Sequence, residues 1–342
     1  MKAVIFKEHG GPEVLEYADV AEPEIRANEV LVEVRACALN HLDVWARGGL
    51  PGIEIRLPHI LGNDIAGVVR EVGDVVTWVK PGDEVMLQPG ASCGHCVECL
   101  SGRDNLCPEY DIIGYRLDGG YAELVAAPGV NVIPKPKDLK WEEAAALPLV
   151  TVTAWHMLVT RAAVQPGEDV LVHAAGSGVG SIGIQIAKLR GAHVIATAGS
   201  DEKLAKAREL GADETVNYTN ADWPREVRRL TAKRGCDVVF EHTGAETWPG
   251  SILSLAKNGR LVTCGATSGY DARTDIRQVF YRHLSLLGSF MGSKAELLQA
   301  MKFIESGKIR AVVDRVLPLK EARQAHELMQ DRAQFGKLVL VP

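Results

Sequence analysis

A glycine-rich turn set between a strand-like run and a helix-like run constrains this chain more than any other stretch. It reads His173-Ala174-Ala175-Gly176-Ser177-Gly178-Val179-Gly180-Ser181-Ile182-Gly183. Residues 169–174 are a short, mostly apolar run, the pattern of a buried strand, and 181–190 continue as a helix. Gly178, Gly180 and Gly183 satisfy G-x-G-x-x-G in that strand–turn–helix setting, where the motif has a mechanism. Glycines let the backbone approach a pyrophosphate, and the helix start offers free N–H groups and the positive end of its dipole. Gly176, Ser177, Gly178, Val179 and Gly180 are therefore candidate cofactor contacts. A tight turn holding nothing is the weaker alternative, because the alternation goes on. Strands are expected at 193–198, 214–217, 237–241 and 260–264, with a helix at 201–210, which is the rhythm of a doubly wound parallel sheet in an α/β protein.

The corner after the second strand bears on which dinucleotide binds. NAD sites place an acid at that strand's end to accept from the ribose 2′-OH. Here the strand ends Ala196-Thr197-Ala198-Gly199-Ser200, with no carboxylate before Asp201. A small neutral corner leaves room for a 2′-phosphate, with Ser200 as donor, Lys203 as counter-charge and Tyr218 within reach. This favours NADP, the rival being NAD with Asp201 as the ribose acid.

Four of the seven cysteines lie within one short stretch, Cys93, Cys96, Cys99 and Cys107. Four thiolates on a glycine-containing loop suit a tetrahedral Zn²⁺, and a closed four-sulfur shell marks a structural site. Two disulfides are the alternative, disfavoured because no secretory signal is visible and a cytosol keeps thiols reduced. Cys37, Cys236 and Cys264 sit in apolar surroundings and are expected in the core.

The 342 residues suffice for two ordinary domains. A net charge of -6 argues against nucleic acid as a partner. No membrane span is expected, since no apolar run approaches the ~20 residues that one needs. The expectation is a cytoplasmic protein acting on a small molecule. Residues 1 to about 130 carry short apolar runs broken by Gly and Pro, the pattern of a barrel-like β domain.

Together, and in this order, these motifs resemble the medium-chain dehydrogenase/reductase superfamily. The resemblance includes Gly62-Asn63-Asp64-Ile65-Ala66-Gly67, Pro81-Gly82-Asp83-Glu84-Val85, the four-cysteine lobe, the glycine loop and the closing Gly336-Lys337-Leu338-Val339. It implies a GroES-like catalytic domain (1–150 and 291–342, zinc lobe 93–107) around a Rossmann domain (151–290), with the active site in the cleft between them. It also implies a homodimer or homotetramer. His41 resembles a residue that contacts the cofactor pyrophosphate, and the segment with Phe290 resembles one lining the nicotinamide end. Thr153 is a further candidate cofactor contact.

The departures carry the functional expectation. Zinc alcohol dehydrogenases hold a catalytic zinc at positions that correspond here to Asn40, Asn63-Asp64 and Leu149, and their proton-relay hydroxyl corresponds to Leu42. An amide oxygen is a poor zinc ligand and Leu is none. The Asn40 and Asn63-Asp64 pattern resembles the zinc-free quinone oxidoreductase branch, although that branch lacks the four-cysteine lobe. The expectation is an NAD(P)H-dependent oxidoreductase with one structural zinc, reducing a quinone, enone or activated carbonyl without a catalytic metal. Asn40 would donate to the substrate oxygen, Asn63 would assist or hold Asp64, and Asp64 is either a buried structural acid or a base. The alternatives are a zinc-dependent alcohol dehydrogenase with a site rebuilt from His41, Asp43, His59 and Asp64, and a non-catalytic NADPH-binding protein.

Overall fold

One strand organises the β-rich part of the chain. Glu29–Ala38 pairs with Asp64–Val72 along its length, with Leu124–Pro128 through Glu29–Glu33, and with Lys337–Val341 at its far end. Seven of its ten side chains are apolar and buried, the mark of a strand packed on both faces for most of its length. The remaining strands complete a seven-stranded sheet, Val132–Pro134 and Glu84–Leu87 on one side and Val313–Pro318 on the other. A small antiparallel sheet, with Lys2–Phe6 between Glu16–Asp19 and His59–Ile60, adds to the same core.

The computed structural model describes residues 1–219 and 222–342 and separates into two units. The first holds 1–149, 293–297 and 310–342, and the second 150–292 and 298–309. The sequence reading ended the dinucleotide-binding part at 290. The segment 298–309 groups with it as well, where Phe303 packs on Trp155 at a ring separation of 5.6 Å.

In the second unit six strands run parallel, in the order Glu214–Asn217, His193–Ala198, Asp169–Val172, Cys236–Glu241, Leu255–Thr263, Ser285–Gly288. The last of these was not anticipated, since Ser285-Leu286-Leu287-Gly288 is short and sits at an edge. Cys37 and Cys236 are core residues as expected, whereas Cys264 is only half-buried. One helical run, Trp141–Arg161, is long and apolar enough to pass as a membrane span, which inspection of the sequence overlooked. Of its most apolar window 78% is buried inside the protein, so it is read as a core helix. Its last turn, His156–Arg161, is π-helical.

A buried polar chain ties helix His41–Gly48 to helix Ala322–Gln330. The Arg47 guanidinium donates to His326 Nδ1 at 2.9 Å, and His326 Nε2 and the Tyr121 hydroxyl lie 3.2 Å apart. Tyr121 donates on to Asp43 Oδ2 at 3.3 Å. An Nδ1 that accepts leaves the proton on Nε2, so every donor in the chain points toward Asp43. Burial, and then the neighbouring Arg47, push the His326 imidazole down to about 3. A depressed folded pKa adds stability above the unfolded value near 6.5, and that stability is lost as pH falls toward 3. The stability advantage of the wild type over His326→Gln is therefore expected to shrink between pH 6.5 and pH 4, by up to about 1.4 kcal/mol per pH unit. Thermal unfolding of both proteins across that range measures it. A constant difference would mean that His326 titrates in the fold as it does in the unfolded chain.

Candidate active site

Strand register alone assembles the cluster that matters. Ala38 pairs with Asp64 on one side and with Val339 on the other. Both neighbours run antiparallel, so Asn40, two residues beyond Ala38, comes level with Lys337, two before Val339. The side chains close the arrangement. Lys337 Nζ donates to Asn40 Oδ1 at 2.6 Å and to Asp64 Oδ2 at 2.8 Å. Asn40 Nδ2 donates to the same carboxylate oxygen at 2.9 Å, and the Leu149 backbone N–H donates to Asp64 Oδ1 at 2.7 Å. Asp64 is fully buried and Lys337 nearly so, at 3% exposure; Asn40, at 7%, is the most exposed of the three.

Asp43 sets this geometry from below. Its Oδ2 accepts the Asn40 backbone N–H at 2.7 Å and its Oδ1 accepts that of Gly62 at 3.1 Å, fixing the segments that carry Asn40 and Asp64. Gly62 needs its positive φ of 103°, and a Cβ there would lie 2.5 Å from the Tyr121 ring. Burial pushes the Asp43 carboxyl up to about 7.

One expectation changes here and two alternatives lose support. Asp64 is not placed to act as a base, because both its oxygens are engaged and one faces an ammonium. Asn63 stands outside the network and donates instead to the Ile113 carbonyl at 2.8 Å. The residues of the alternative metal site are not grouped as a ligand set. Asp43 holds backbone N–H groups, while His59 packs edge-on against Phe6 and pairs with Asp118 at 3.3 Å. Among the described residues, both groupings of three or more metal-ligating atoms include Cys93, and neither includes His41, His59 or Asp64. A catalytic zinc therefore does not fit the residues at 40, 63 and 149. Sequence reasoning missed Lys337, although its signal was present: a lone charge opening an otherwise apolar strand, Lys337–Val341.

The four cysteines do converge. Their sulfurs all lie within 4.8 Å of one another, with Cys93–Cys99 at 3.9 Å and Cys96–Cys99 at 3.5 Å. A tetrahedron with Zn–S of about 2.3 Å has edges of about 3.8 Å, so this shell fits Zn²⁺. Backbone N–H groups of Cys96 and Glu109 point at Cys93 and Cys107 sulfurs at 3.4 Å each, as thiolate ligands require. Hydrogen bonds led by the His95 backbone bring the Cys93 thiol down to about 6. Lys294 clamps the lobe through Asp104, Ser92 and the Gly90 carbonyl.

The second unit carries the dinucleotide loop. Ala174, at φ of 44°, turns the chain out of the strand Asp169–Val172, and Ser177 caps the helix Gly178–Leu189 by accepting Gly180 N at 2.8 Å. The first-turn N–H groups of Gly178 and Val179 have no intrahelical acceptor, which makes them donors for a phosphate. A Cβ on Gly180 would lie 2.4 Å from the Ala174 carbonyl oxygen, so the loop closes only with glycine there. Beneath it lies a polar cluster not foreseen from sequence. Buried Glu241 accepts from Thr243 N, Thr247 Oγ1 and Ser251 Oγ at 2.7, 2.9 and 2.6 Å, and Ser251 meets His173 Nε2 at 2.9 Å. His242 Nε2 donates to the His173 carbonyl at 3.0 Å, tying two strand ends together under the loop. Thr153 is nearly buried, and its hydroxyl has no partner among the described residues.

At the second strand's end, Ser200 caps the helix Asp201–Glu209 through Lys203 N at 3.3 Å. Asp201 accepts from Asn217 Nδ2 at 2.8 Å, and the Tyr218 hydroxyl lies against Gly199. His41 opens helix His41–Gly48 with Trp45 beside it, and Phe290 is largely exposed.

Comparison with known proteins agrees with this architecture. Residues 26–137 match the alcohol dehydrogenase GroES-like domain and residues 178–306 the zinc-binding dehydrogenase domain. A crystal structure of an NAD-dependent alcohol dehydrogenase superposes with a TM-score of 0.97 at 54% identity, covering all of both chains. A quinone oxidoreductase of Pseudomonas aeruginosa is 34% identical, covering 100% of this chain and 99% of its own. A crotonyl-CoA reductase of Streptomyces collinus is also 34% identical, over 94% of this chain and 80% of its own. With a GroES-like domain and a parallel dinucleotide-binding sheet in this order, the chain belongs to the medium-chain dehydrogenase/reductase superfamily and is an NAD(P)-dependent oxidoreductase.

Proposed function

We propose that this enzyme reduces an electron-poor double bond or quinone with NADPH, its one zinc being structural. The observation that carries the reading is the Lys337–Asp64–Asn40 network, which sets an ammonium and one side-chain amide around a lone carboxylate, where a catalytic metal would need three ligands of N, S or carboxylate type. When bound, the reduced nicotinamide supplies a hydride, which is two electrons and one hydrogen nucleus. The glycine loop and the start of helix Gly178–Leu189 would hold its pyrophosphate. A hydride accepted at the β-carbon of an enone would use the C=C π pair to form a new double bond between the α- and carbonyl carbons, and the C=O π pair would move onto the oxygen. Asn40 donates its second amide N–H to that oxygen, and donors placed where charge develops are the strongest lever available without a metal. Leu42 offers no proton relay, so the α-carbon takes its proton from water, leaving a saturated carbonyl and the oxidised cofactor. The relatives named for quinone and crotonyl-CoA reduction act on acceptors of this kind by their names, which supports the same class here.

For the cofactor, the acid-free end of strand His193–Ala198 favours NADP, with Ser200, Lys203 and Tyr218 around the 2′-phosphate. Asp201 sits one residue into the next helix and already accepts from Asn217. The structurally similar NAD-dependent enzyme keeps NAD as the second reading. A Lys203→Ala variant is expected to raise KM for NADPH by about tenfold or more and leave KM for NADH within about twofold, since one charge-assisted contact is worth roughly 1.5–3 kcal/mol. Steady-state oxidation of NADPH and of NADH, with a quinone and an unsaturated thioester as acceptors and a chelator present, tests cofactor and substrate class together. Turnover of simple alcohols with NAD and none of these acceptors would overturn the reading.

A further inference from the structure

We propose that Lys337 is the site's resident cation. Its buried ammonium polarises the Asn40 carboxamide, whose remaining N–H then stabilises negative charge forming on the substrate oxygen. The inference rests on the function proposed above and deepens it.

The geometry distinguishes this from an ordinary buried ion pair. Asp64 alone would balance the charge of the ammonium, yet Lys337 also places a hydrogen bond of 2.6 Å on the Asn40 amide oxygen. That contact draws electron density out of the amide and makes its N–H groups stronger donors, as hydrogen bonds in chains reinforce one another in a low-dielectric interior. One of those N–H groups goes to Asp64 at 2.9 Å, which fixes the amide plane and its orientation. The other is the donor proposed to meet substrate. Asp64 balances the ammonium, so the trio is neutral overall and can stay buried. It is also fully buried, and Lys337 is 3% exposed, whereas Asn40 is 7% exposed, so the amide is the route by which the charge would be felt outside. The same arrangement accounts for the donor set. A metal ion bound by Asn40 and Asp64 would stand within bonding distance of an ammonium that already holds both oxygens. Lys337 acts through Asn40 and is a positioning residue, while Asn40 is the group that touches substrate.

The test compares Lys337→Met and Lys337→Arg with the wild type, with an α,β-unsaturated ketone and a quinone as acceptors. A ketone depends more on electrophilic help than a quinone does. The expected result for Lys337→Met is a fall in kcat of about 100-fold with the ketone, with KM changed less than about threefold, and a fall of under about tenfold with the quinone. Lys337→Arg should keep kcat for the ketone within about tenfold of wild type. A second readout does not need turnover. The carbonyl stretch of a bound, unreactive ketone should lie below its value in water in wild type and in Lys337→Arg, and return toward it in Lys337→Met. If Lys337→Met proves too unstable to assay, the charge is removed in the Asp64→Leu/Lys337→Met pair instead, with the same expectations. Equal losses with both acceptors, or a carbonyl stretch unmoved by loss of the charge, would overturn the role of Lys337 alone. Failure of the wild type to reduce either acceptor would overturn the functional reading, and this role with it.

Discussion

Asp64→Leu should cost about 3–5 kcal/mol of folding stability, and Lys337→Met a similar amount, while the two together should cost much less than the sum. Removing one member of a buried ion pair strands the other charge without its counter-ion, and that is the expensive state. Here the stranded group would be an ammonium at 3% exposure left with only the Asn40 amide oxygen, or a carboxylate at 0% left with the Leu149 N–H and the Asn40 amide. Replacing both partners with apolar side chains of similar volume removes the uncompensated charge, which is often neutral or better for stability. Activity should follow a different pattern. The double variant regains stability and remains slow, because nothing then polarises Asn40. Chemical denaturation of the four proteins, with kcat on the same samples, completes the cycle. Additive stability losses would mean that the two side chains do not interact as the structure has them.

Cys99→Ser should empty the cysteine lobe of zinc and release residues 93–107 to proteolysis while the rest of the chain stays folded. The lobe has little else to hold it. Val97, Leu100 and Leu106 are exposed, its two helical turns are only four and three residues long, and Lys294 tethers it from outside. In such small metal-held segments the binding free energy is the folding free energy, on the order of 10 kcal/mol or more. Zinc content, limited proteolysis and mass analysis of the fragments give the result. Cuts spread over the whole chain would show that the lobe supports the domain, and an unchanged zinc content would show that the metal lies elsewhere.

The fold class was legible because its signals are local. Gly178, Gly180 and Gly183 between an apolar run and a helix announce a dinucleotide loop, and the strands that follow repeat the same unit. The cysteine lobe was legible for the same reason, since its four ligands fall within 15 residues. What stayed hidden depends on strand pairing. Nothing near Asn40 or Asp64 in the chain points to Lys337, which lies about three hundred residues from one and 273 from the other. Only the register that sets Ala38 beside both Asp64 and Val339 brings the three together. The Arg47–His326–Tyr121–Asp43 chain was hidden in the same way, because it joins elements 279 residues apart. Asp64 shows the limit most clearly. As a lone carboxylate in a motif it can be a base, a ligand or a structural acid, and the three donors around it decide.

The most direct test of a metal-free reaction centre is zinc per chain, measured by elemental analysis before and after prolonged dialysis against a chelator, with turnover followed on the same samples. The expected result is one zinc per chain throughout and undiminished reduction of the acceptor. Two zincs per chain, with the second and the activity leaving together, would contradict it, and would return the catalytic role to a metal held near Asp64.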